Sequence, residues 1–461
     1  MKQQFLKKKR YKLLLINPLN RRRTGLIRDP KSIYPPMSLG IIAALTPSNW
    51  DVEILDENFS KFEYKEADLV GFTALTSSVN RSYELAGIYK KNKVPTVIGG
   101  IHVSMMPEEA LQYADTVVKG EAEHVWAKVI DDFEKGKMQK IYEAKRLPMV
   151  ESPKPRIDLY HPGYTFGSIQ TTRGCPMDCE FCSVHTFNGT AYRPRPVEDV
   201  IEEYALIPKK KVYFVDDNLV GYSRRSAERI KEICRRIIKS GVKKHWFCSA
   251  SMNIAKDEEL LELMAQAGCK MIFLGIESEL VDQLQSVNKN MNLKIGVDNF
   301  ARIYDTLHKH RIAVLGAFIF GLDSDTADSI RKRTDYILNA GIDSIQTTIL
   351  TPLPGTRLYN RFSKEGRLLY TNYPEDWERY SFAEVVYKPK LMEVQEFEDV
   401  VQESWERMYN KKSIGKRFIK TLKATNDPET ASWAYGSNVQ YHNLTFEGTD
   451  EEVLDAEYLF R

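Results

Sequence analysis

The sequence predicts an α/β protein of two successive parallel-sheet domains followed by a mainly helical C-terminal region. Three observations carry that expectation. Short apolar strands alternate with helices through the first 130 residues, and the alternation restarts at residue 166 after a proline-dense stretch. Beyond PLPGTRLYNRF the pattern turns helical and aromatic. The expected boundaries are 1–145 for the first domain, 146–165 for a linker, 166–360 for the second domain and 361–461 for the C-terminal region.

In order, KLLLINP (12–18) reads as an apolar strand, PPMSLGIIAAL (35–45) as a helix opened by proline, and WDVEILDEN (50–58) as a strand. ADLVGFTAL (67–75) is a strand, RSYELAGIYKK (81–91) a helix, and PTVIGGIH (95–102) a strand ending in glycines. A helix around PEEALQY (107–113) and a strand DTVVKGEAE (115–123) complete a doubly wound, Rossmann-like domain, whose ligand belongs outside the carboxyl ends of its strands. KRLPMVESPKPRIDLYHPGY (145–164) breaks both periodicities. Strands are then expected in FGSIQTT from 166, KVYFVDD (211–217), HWFCSAS (245–251), KMIFLGIES (270–278), IAVLGAFIFGL (312–322) and DSIQTTILTP (343–352). Six strands are too few for a closed eight-stranded barrel and suit a partial (β/α)6 barrel. The last thirty residues show no period.

The composition, 43% hydrophobic and 28% charged, is that of an ordinary soluble protein. A formal charge of +3 over 461 residues gives no reason to expect a nucleic-acid partner. The basic clusters KQQFLKKKRYK and NRRRTG read as solvated ends, with peripheral contact to an anionic membrane as the alternative. LLLI is too short for a signal segment, and the expected location is the cytoplasm.

Six cysteines are scattered in a way that is no disulfide framework and fits a reducing compartment. Three of them, Cys175, Cys179 and Cys182 in RGCPMDCEFCS, follow the first strand of the second domain, on the functional face of a β/α barrel. Thiolates bind zinc or iron–sulfur clusters, and three leave one coordination position open. His185 is the candidate fourth ligand of a closed zinc site, which would make the chain a zinc-stabilised, non-enzymatic binding protein. Three inert core cysteines would be odd in so polar a loop.

CPMDCEFC, a CxxxCxxC motif with Phe181 before its last cysteine, resembles the signature of the radical S-adenosylmethionine (SAM) superfamily. The resemblance implies a [4Fe–4S] cluster on Cys175, Cys179 and Cys182. Its fourth iron would take the amino and carboxylate groups of SAM, and electron transfer would then yield a 5′-deoxyadenosyl radical. It further places Asp216, Asp217 and Asn218 near the methionyl amine, and Ser249, Ser251, Asn253, Glu277 and Ser278 near the ribose or carboxylate. In AFIFGLD, Ile319 and Gly321 would support the adenine, and Thr347, Thr348 and Leu350 would line the pocket. Taken singly, each polar residue also reads as a cap or turn satisfier.

An α/β domain ahead of such a barrel resembles the cobalamin (B12)-binding subclass, as do YPPMSLG (34–40), GGIHVS (99–104) and the Gly-Glu-x-Glu of KGEAE, with Gly120 and Glu121. The resemblance implies cobalamin near Gly99 and Gly100, near Leu75, Thr76, Ser77 and Ser78, and against His102 at its edge. The loop NPLNRRRTG holds no histidine, so none from it would ligate cobalt, and Leu75 is the candidate cover of the lower face. His102 also reads as a helix cap.

The subclass implies methyl transfer to an unactivated carbon of a small-molecule or lipid-like substrate, with an external electron donor such as flavodoxin or ferredoxin. Cyclisation or oxidation, with cobalamin used otherwise or not at all, is the alternative. The aromatics Tyr370, Tyr373, Trp377, Tyr380, Phe382, Tyr387, Trp405 and Tyr409 suit either a substrate pocket or the core of a helical cap.

Overall fold

The computed structural model describes residues 9–20, 34–221 and 223–446. Most of the two basic clusters of the amino-terminal region and most of the histidine-free loop lie outside them. The described residues form two compact units, one from 9–20, 35–163 and 372–378, the other from 34, 164–221, 223–371 and 379–446.

The first unit is a six-stranded, all-parallel sheet of β1 (Tyr11–Asn17), β2 (Trp50–Asp56), β3 (Leu69–Thr73), β4 (Thr96–Gly99), β5 (Thr116–Lys119) and β6 (Ile141–Glu143). Its order, β2-β1-β3-β4-β5-β6, reverses direction between β1 and β3, which is the topological switch of a doubly wound fold. Burial follows position. Leu13–Ile16 of interior strand β1 are all buried, whereas edge strand β2 exposes Asp51 and Glu53 and half-exposes Val52 and Ile54. Strand β6 and the helix Trp126–Glu134 were not foreseen, because β6 has only three residues and stands at the edge.

The stretch read as a linker is bound to this unit. Arg156 N–H donates to Gly40 O at 3.0 Å, and His161 stacks on Phe59 with ring centroids 4.1 Å apart.

The second unit carries β7 (Phe166–Ile169), a small antiparallel ribbon of β8 (Thr172–Arg173) and β9 (Arg193–Pro194), then β10 (Lys211–Phe214), β11 (His245–Ala250), β12 (Cys269–Glu277), β13 (Ala313–Phe320) and β14 (Ser344–Ile349). The six long strands are parallel and their order, β7-β10-β11-β12-β13-β14, is that of the sequence. Each crossover therefore winds the same way, and the sheet curls without doubling back, as a partial barrel does. All eight residues of β13 are buried.

The helices between strands stop and start at capping residues. Ser223 and Ser226 form a capping box before Arg224–Ser240, Thr326 and Ser329 do so before Ala327–Asn339, and Thr356 caps Arg357–Lys364.

Of the last thirty residues, which show no sequence period, 447–461 lie outside the described residues, and 432–445 belong to an 18-residue helix, Pro428–Thr445, opened by Asp427. Trp433 and Ala434 pack against Phe247, Met271, Ala313 and Leu315, near the beginnings of their strands. Tyr34, the first residue of YPPMSLG, joins this second-unit cluster, with its ring centroid 4.5 Å from that of Tyr213. Among the described residues no helix is long and apolar enough to cross a membrane.

Candidate active site

Side chains alternate across a strand, so Phe247 and Ser249, then Met271, Phe273 and Gly275, then Ala313, Leu315, Ala317 and Ile319 share one face of the second sheet. The terminal helix covers the lower layers of that face. The upper layers line a cavity of about 320 Å³ at the carboxyl ends of the strands. Its wall contains Cys175, Cys179, Cys182, Asp217, Asn218, Ser249, Ser251, Glu277, Ile319, Thr348 and Leu350, all of them sequence-predicted.

The cysteine loop is held from every side. Cys175 N–H donates to Gly189 O at 3.1 Å and Glu180 N–H to Val287 O at 3.1 Å, while Asp217 accepts from Gly174 N at 3.0 Å and Asn188 Nδ2 at 2.9 Å. Arg357 reaches Asp178 and Arg361 reaches Glu180, so both acidic residues of CPMDCEFC are clamped by the helix after β14.

Burial pushes all three thiols above the ordinary range, Cys182 to about 12. Left alone they would stay protonated. They become useful ligands only where cations compensate three thiolates, which is the chemistry of an iron–sulfur cluster. Among the described residues no three His, Cys, Asp or Glu side chains converge as a single-ion site requires. The closed zinc site therefore lacks its geometry. The donor set fits a cluster with an open position.

One charged group of the cavity escaped the sequence reading. Lys289 lines the cavity and its Nζ pairs with Glu277 Oε1, both side chains nearly buried. Burial works against its charge, but Glu277 and Cys179 outweigh burial and hold its pKa above the ordinary range. Glu277 sits at a register shift in β12 with φ +66°, a left-handed conformation that turns its carboxylate off the regular pleat. No local motif marks Lys289. Its cue is a lysine twelve residues after a strand-end glutamate, which sequence alone does not single out.

Several predicted residues do not line the cavity. Asp216 is buried and holds Thr171, accepting from its N–H at 3.0 Å and its hydroxyl at 2.9 Å. Asn253 donates to Gly221 O at 3.3 Å, while the Ser278 hydroxyl donates to Gln283 at 2.7 Å. Gly321 has φ +90°, and a Cβ there would lie 2.1 Å from Tyr387 Oη, so its glycine serves packing. Nearby, fully buried Arg333 donates to Ile319 O at 2.9 Å and pairs with Asp325, fixing the end of β13 that presents Ile319. Thr347 is turned to Tyr409 and Trp405.

In the first unit, Leu75, Thr76, Ser77 and Ser78 follow β3 at the switch point, and Leu75 is 61% exposed. At Gly99 a Cβ would meet only Val118, at an ordinary contact distance of 3.9 Å. Gly100, at φ +113°, would clash with Ala74 O at 2.7 Å. Ser104 accepts from Gly120 N at 3.0 Å, and Glu121 is buried. His102 is buried with both ring nitrogens in hydrogen bonds, to Thr76 and Glu109. An exposed leucine beside a bare glycine at a switch-point crevice fits a broad, flat ligand such as a corrin.

The family profile described as "Radical SAM superfamily" matches residues 169–337, and that described as "B12 binding domain" matches residues 23–130. The chain is 30% identical over 407 residues to bacteriochlorophyllide d C-12(1)-methyltransferase of Chlorobaculum tepidum, covering 84% of each chain. It is 28% identical to bacteriochlorophyllide d C-8(2)-methyltransferase of the same organism, covering 82% of this chain and 86% of that one. The solved structure of the radical SAM methyltransferase TsrM from Kitasatospora setae, with cobalamin and a [4Fe–4S] cluster bound, shares the fold. Its TM-score is 0.64 at 16% identity, over 94% of this chain and 99% of that one. This chain belongs to the radical SAM superfamily, in the branch with a cobalamin-binding domain, and its cofactors are a [4Fe–4S] cluster, SAM and cobalamin.

Proposed function

We propose that the protein is a methyltransferase that acts on an unactivated carbon of a small, largely apolar, ring-bearing or lipid-like substrate. The observation that carries this reading is the two-sided cavity. One wall holds three cysteines and a charged pair, Glu277 and Lys289, while Phe181, Phe273, Phe382 and Leu350 give an apolar, aromatic lining. Both relatives named above are methyltransferases of a bacteriochlorophyllide, a substrate with a large flat ring, which supports the same class.

When bound, the cluster supplies the electron that splits SAM, and cobalamin carries the methyl group. The chain's own residues hold and orient. Cys175, Cys179 and Cys182 ligate three irons. Lys289 offers N–H donors to the SAM carboxylate while Glu277 keeps it charged, and Asp217, Asn218, Ser249 and Ser251 supply polar partners. Ile319 and Thr348 support the adenine. Leu75 and Thr76–Ser78, with Gly99, would hold the corrin. An external one-electron donor such as flavodoxin or ferredoxin completes the system.

The test is anaerobic. Reconstituted protein should hold about four irons and four sulfides per chain and lose them when the three cysteines become alanine. Hydroxocobalamin should be retained near one per chain. Incubation with methyl-labelled SAM and candidate substrate should give S-adenosylhomocysteine and 5′-deoxyadenosine together, with label in the product. Deoxyadenosine without methyl incorporation would replace methyl transfer by cyclisation or oxidation.

A further inference from the structure

The first unit contains a buried polar chain that the cavity chemistry does not use. His102, only 1% exposed, lies in the short helix Ile101–Met105 that follows the two glycines. Its Nδ1 is 3.2 Å from Thr76 Oγ1 and its Nε2 3.2 Å from Glu109 Oε1. Glu109 also accepts from Tyr83 Oη at 2.9 Å and, through Oε2, from Trp377 Nε1 at 2.9 Å. Burial pushes this carboxyl up, but the donors from His102, Trp377 and Tyr83 outweigh it and hold its pKa below the usual value.

The directions of these bonds follow. A carboxylate has no proton to give, so the bond to His102 needs N–H on Nε2. In the neutral imidazole Nδ1 is then an acceptor, and the hydrogen between it and Thr76 belongs to the threonine. Thr76 thus points its O–H inward, and its oxygen, in a residue only 8% exposed, keeps lone pairs for one further donor at what opening remains. It stands beside exposed Leu75, at the carboxyl end of β3.

Trp377 arrives from far along the chain, 268 residues after Glu109. It belongs to the segment Asn372–Glu378, which groups with the first unit although its neighbours on both sides group with the second. Trp377 stacks on Tyr373 at 3.7 Å and meets the His102 ring edge-on at 5.1 Å, and Glu375 O accepts from Asn80 Nδ2 at 3.0 Å. A few residues further on, Phe382 lines the cysteine cavity.

We infer that Asn372–Glu378 is a latch on the cobalamin-binding loop 74–78, and that His102 is the positioning residue through which Trp377 and Glu109 fix that loop and the direction of the Thr76 hydroxyl. The inference rests on cobalamin occupying this unit. The amide N–H groups at the corrin periphery are the donors that Thr76, fixed as an acceptor, would meet.

The test uses full-length, cluster-reconstituted protein and two measurements: titration with hydroxocobalamin followed by visible absorbance, and amide hydrogen exchange across 74–78 without cobalamin. Trp377→Phe keeps an aromatic ring at this position but loses the pyrrole part of the indole together with its N–H. Together with Glu109→Gln, it should weaken hydroxocobalamin binding about tenfold, as expected for losing a hydrogen bond to a charged group. It should also speed exchange at 74–78 and leave iron content unchanged. Thr76→Val should weaken binding similarly and Thr76→Ser should restore it. In the Thr76→Val background Trp377→Phe should change affinity no further, a coupling that general loosening does not produce. Unchanged exchange and affinity in Trp377→Phe and Glu109→Gln, or additive losses with Thr76→Val, would overturn the latch. If the wild type takes up no hydroxocobalamin, the cobalamin assignment fails, and exchange in Trp377→Phe still decides whether the segment holds the loop.

Discussion

Arg361 donates from Nε and Nη2 to the two oxygens of Glu180, at 2.8 and 3.1 Å, and Glu180 stands between the second and third cysteines. The fork is mostly buried, with Glu180 14% and Arg361 29% exposed at the side chain, and Arg361 also reaches Asp323. A helix beyond the last barrel strand therefore sets the shape of the loop after the first. Arg361→Ala should cost roughly 1–3 kcal/mol, between an exposed pair and a fully buried one. It should also lower iron retained per chain after gel filtration. Arg361→Lys keeps the charge but loses the fork, and should recover only part. Full iron retention by the alanine variant would refute this role.

Lys289 and Glu277 form the second test. Each is nearly buried, so removing one strands the other. Lys289→Met should destabilise by about 3 kcal/mol and weaken SAM binding. Lys289→Met/Glu277→Gln should regain most of the stability while SAM binding stays weak. Thermal melts and SAM titration separate the two effects. Equal SAM affinity in Lys289→Met and wild type would remove Lys289 from the SAM site.

Asp216 gives a pH prediction. Burial raises its pKa to about 6, against the opposing bonds from Thr171 and the charge of Arg229. A raised carboxyl binds its proton more tightly in the folded chain than in the unfolded one. Its stability contribution is therefore fullest below about pH 4 and is lost as pH rises towards 6, by about 3 kcal/mol at most. Asp216→Asn keeps an acceptor for Thr171 without a charge. Melting temperature compared from pH 4 to 8 should show the variant gaining on the wild type up to pH 6 and holding that gain above it. A constant difference across the range would contradict this account.

Trp433 tests the terminal helix. It packs edge-on to Phe166 and Phe247, with centroids 5.8 and 6.1 Å away, and is 6% exposed. Trp433→Ala should cost about 3–5 kcal/mol as a large cavity in the barrel face. Conversion to Phe should cost much less. A melting temperature unchanged by the alanine substitution would mean the helix is not part of the core.

The strands were legible because parallel strands covered on both faces are written as unbroken apolar runs, such as Leu13–Ile16 and Ala313–Phe320. The cysteine loop was legible because spacing is chemistry. The helix Pro428–Thr445 was not. Its buried residues include Thr430, Ala431, Trp433, Ala434, Asn438, Val439, Tyr441 and His442, so small and polar groups point into the core and no apolar stripe survives. Asn438 Nδ2, for example, donates to Asp343 O at 2.7 Å. Lys289 and the Trp377–Glu109–His102 chain were hidden for another reason. Their partners are set by tertiary approach, and residues so far apart in sequence carry no shared pattern. Asp216 and Gly321 show the converse: both stand at strand ends where cofactors bind, yet their atoms are committed to Thr171 and to Tyr387.

The position of Trp433 has a consequence for biosynthesis. β14 ends at Ile349, but the helix that fills the lower face of the barrel does not begin until Pro428. At the usual pace of about 5–20 residues per second, the strands wait several seconds on the ribosome with their aromatic layer uncovered. Nascent chains stalled before residue 428 should therefore engage holding chaperones more than chains that have already exposed the helix Pro428–Thr445 outside the ribosome.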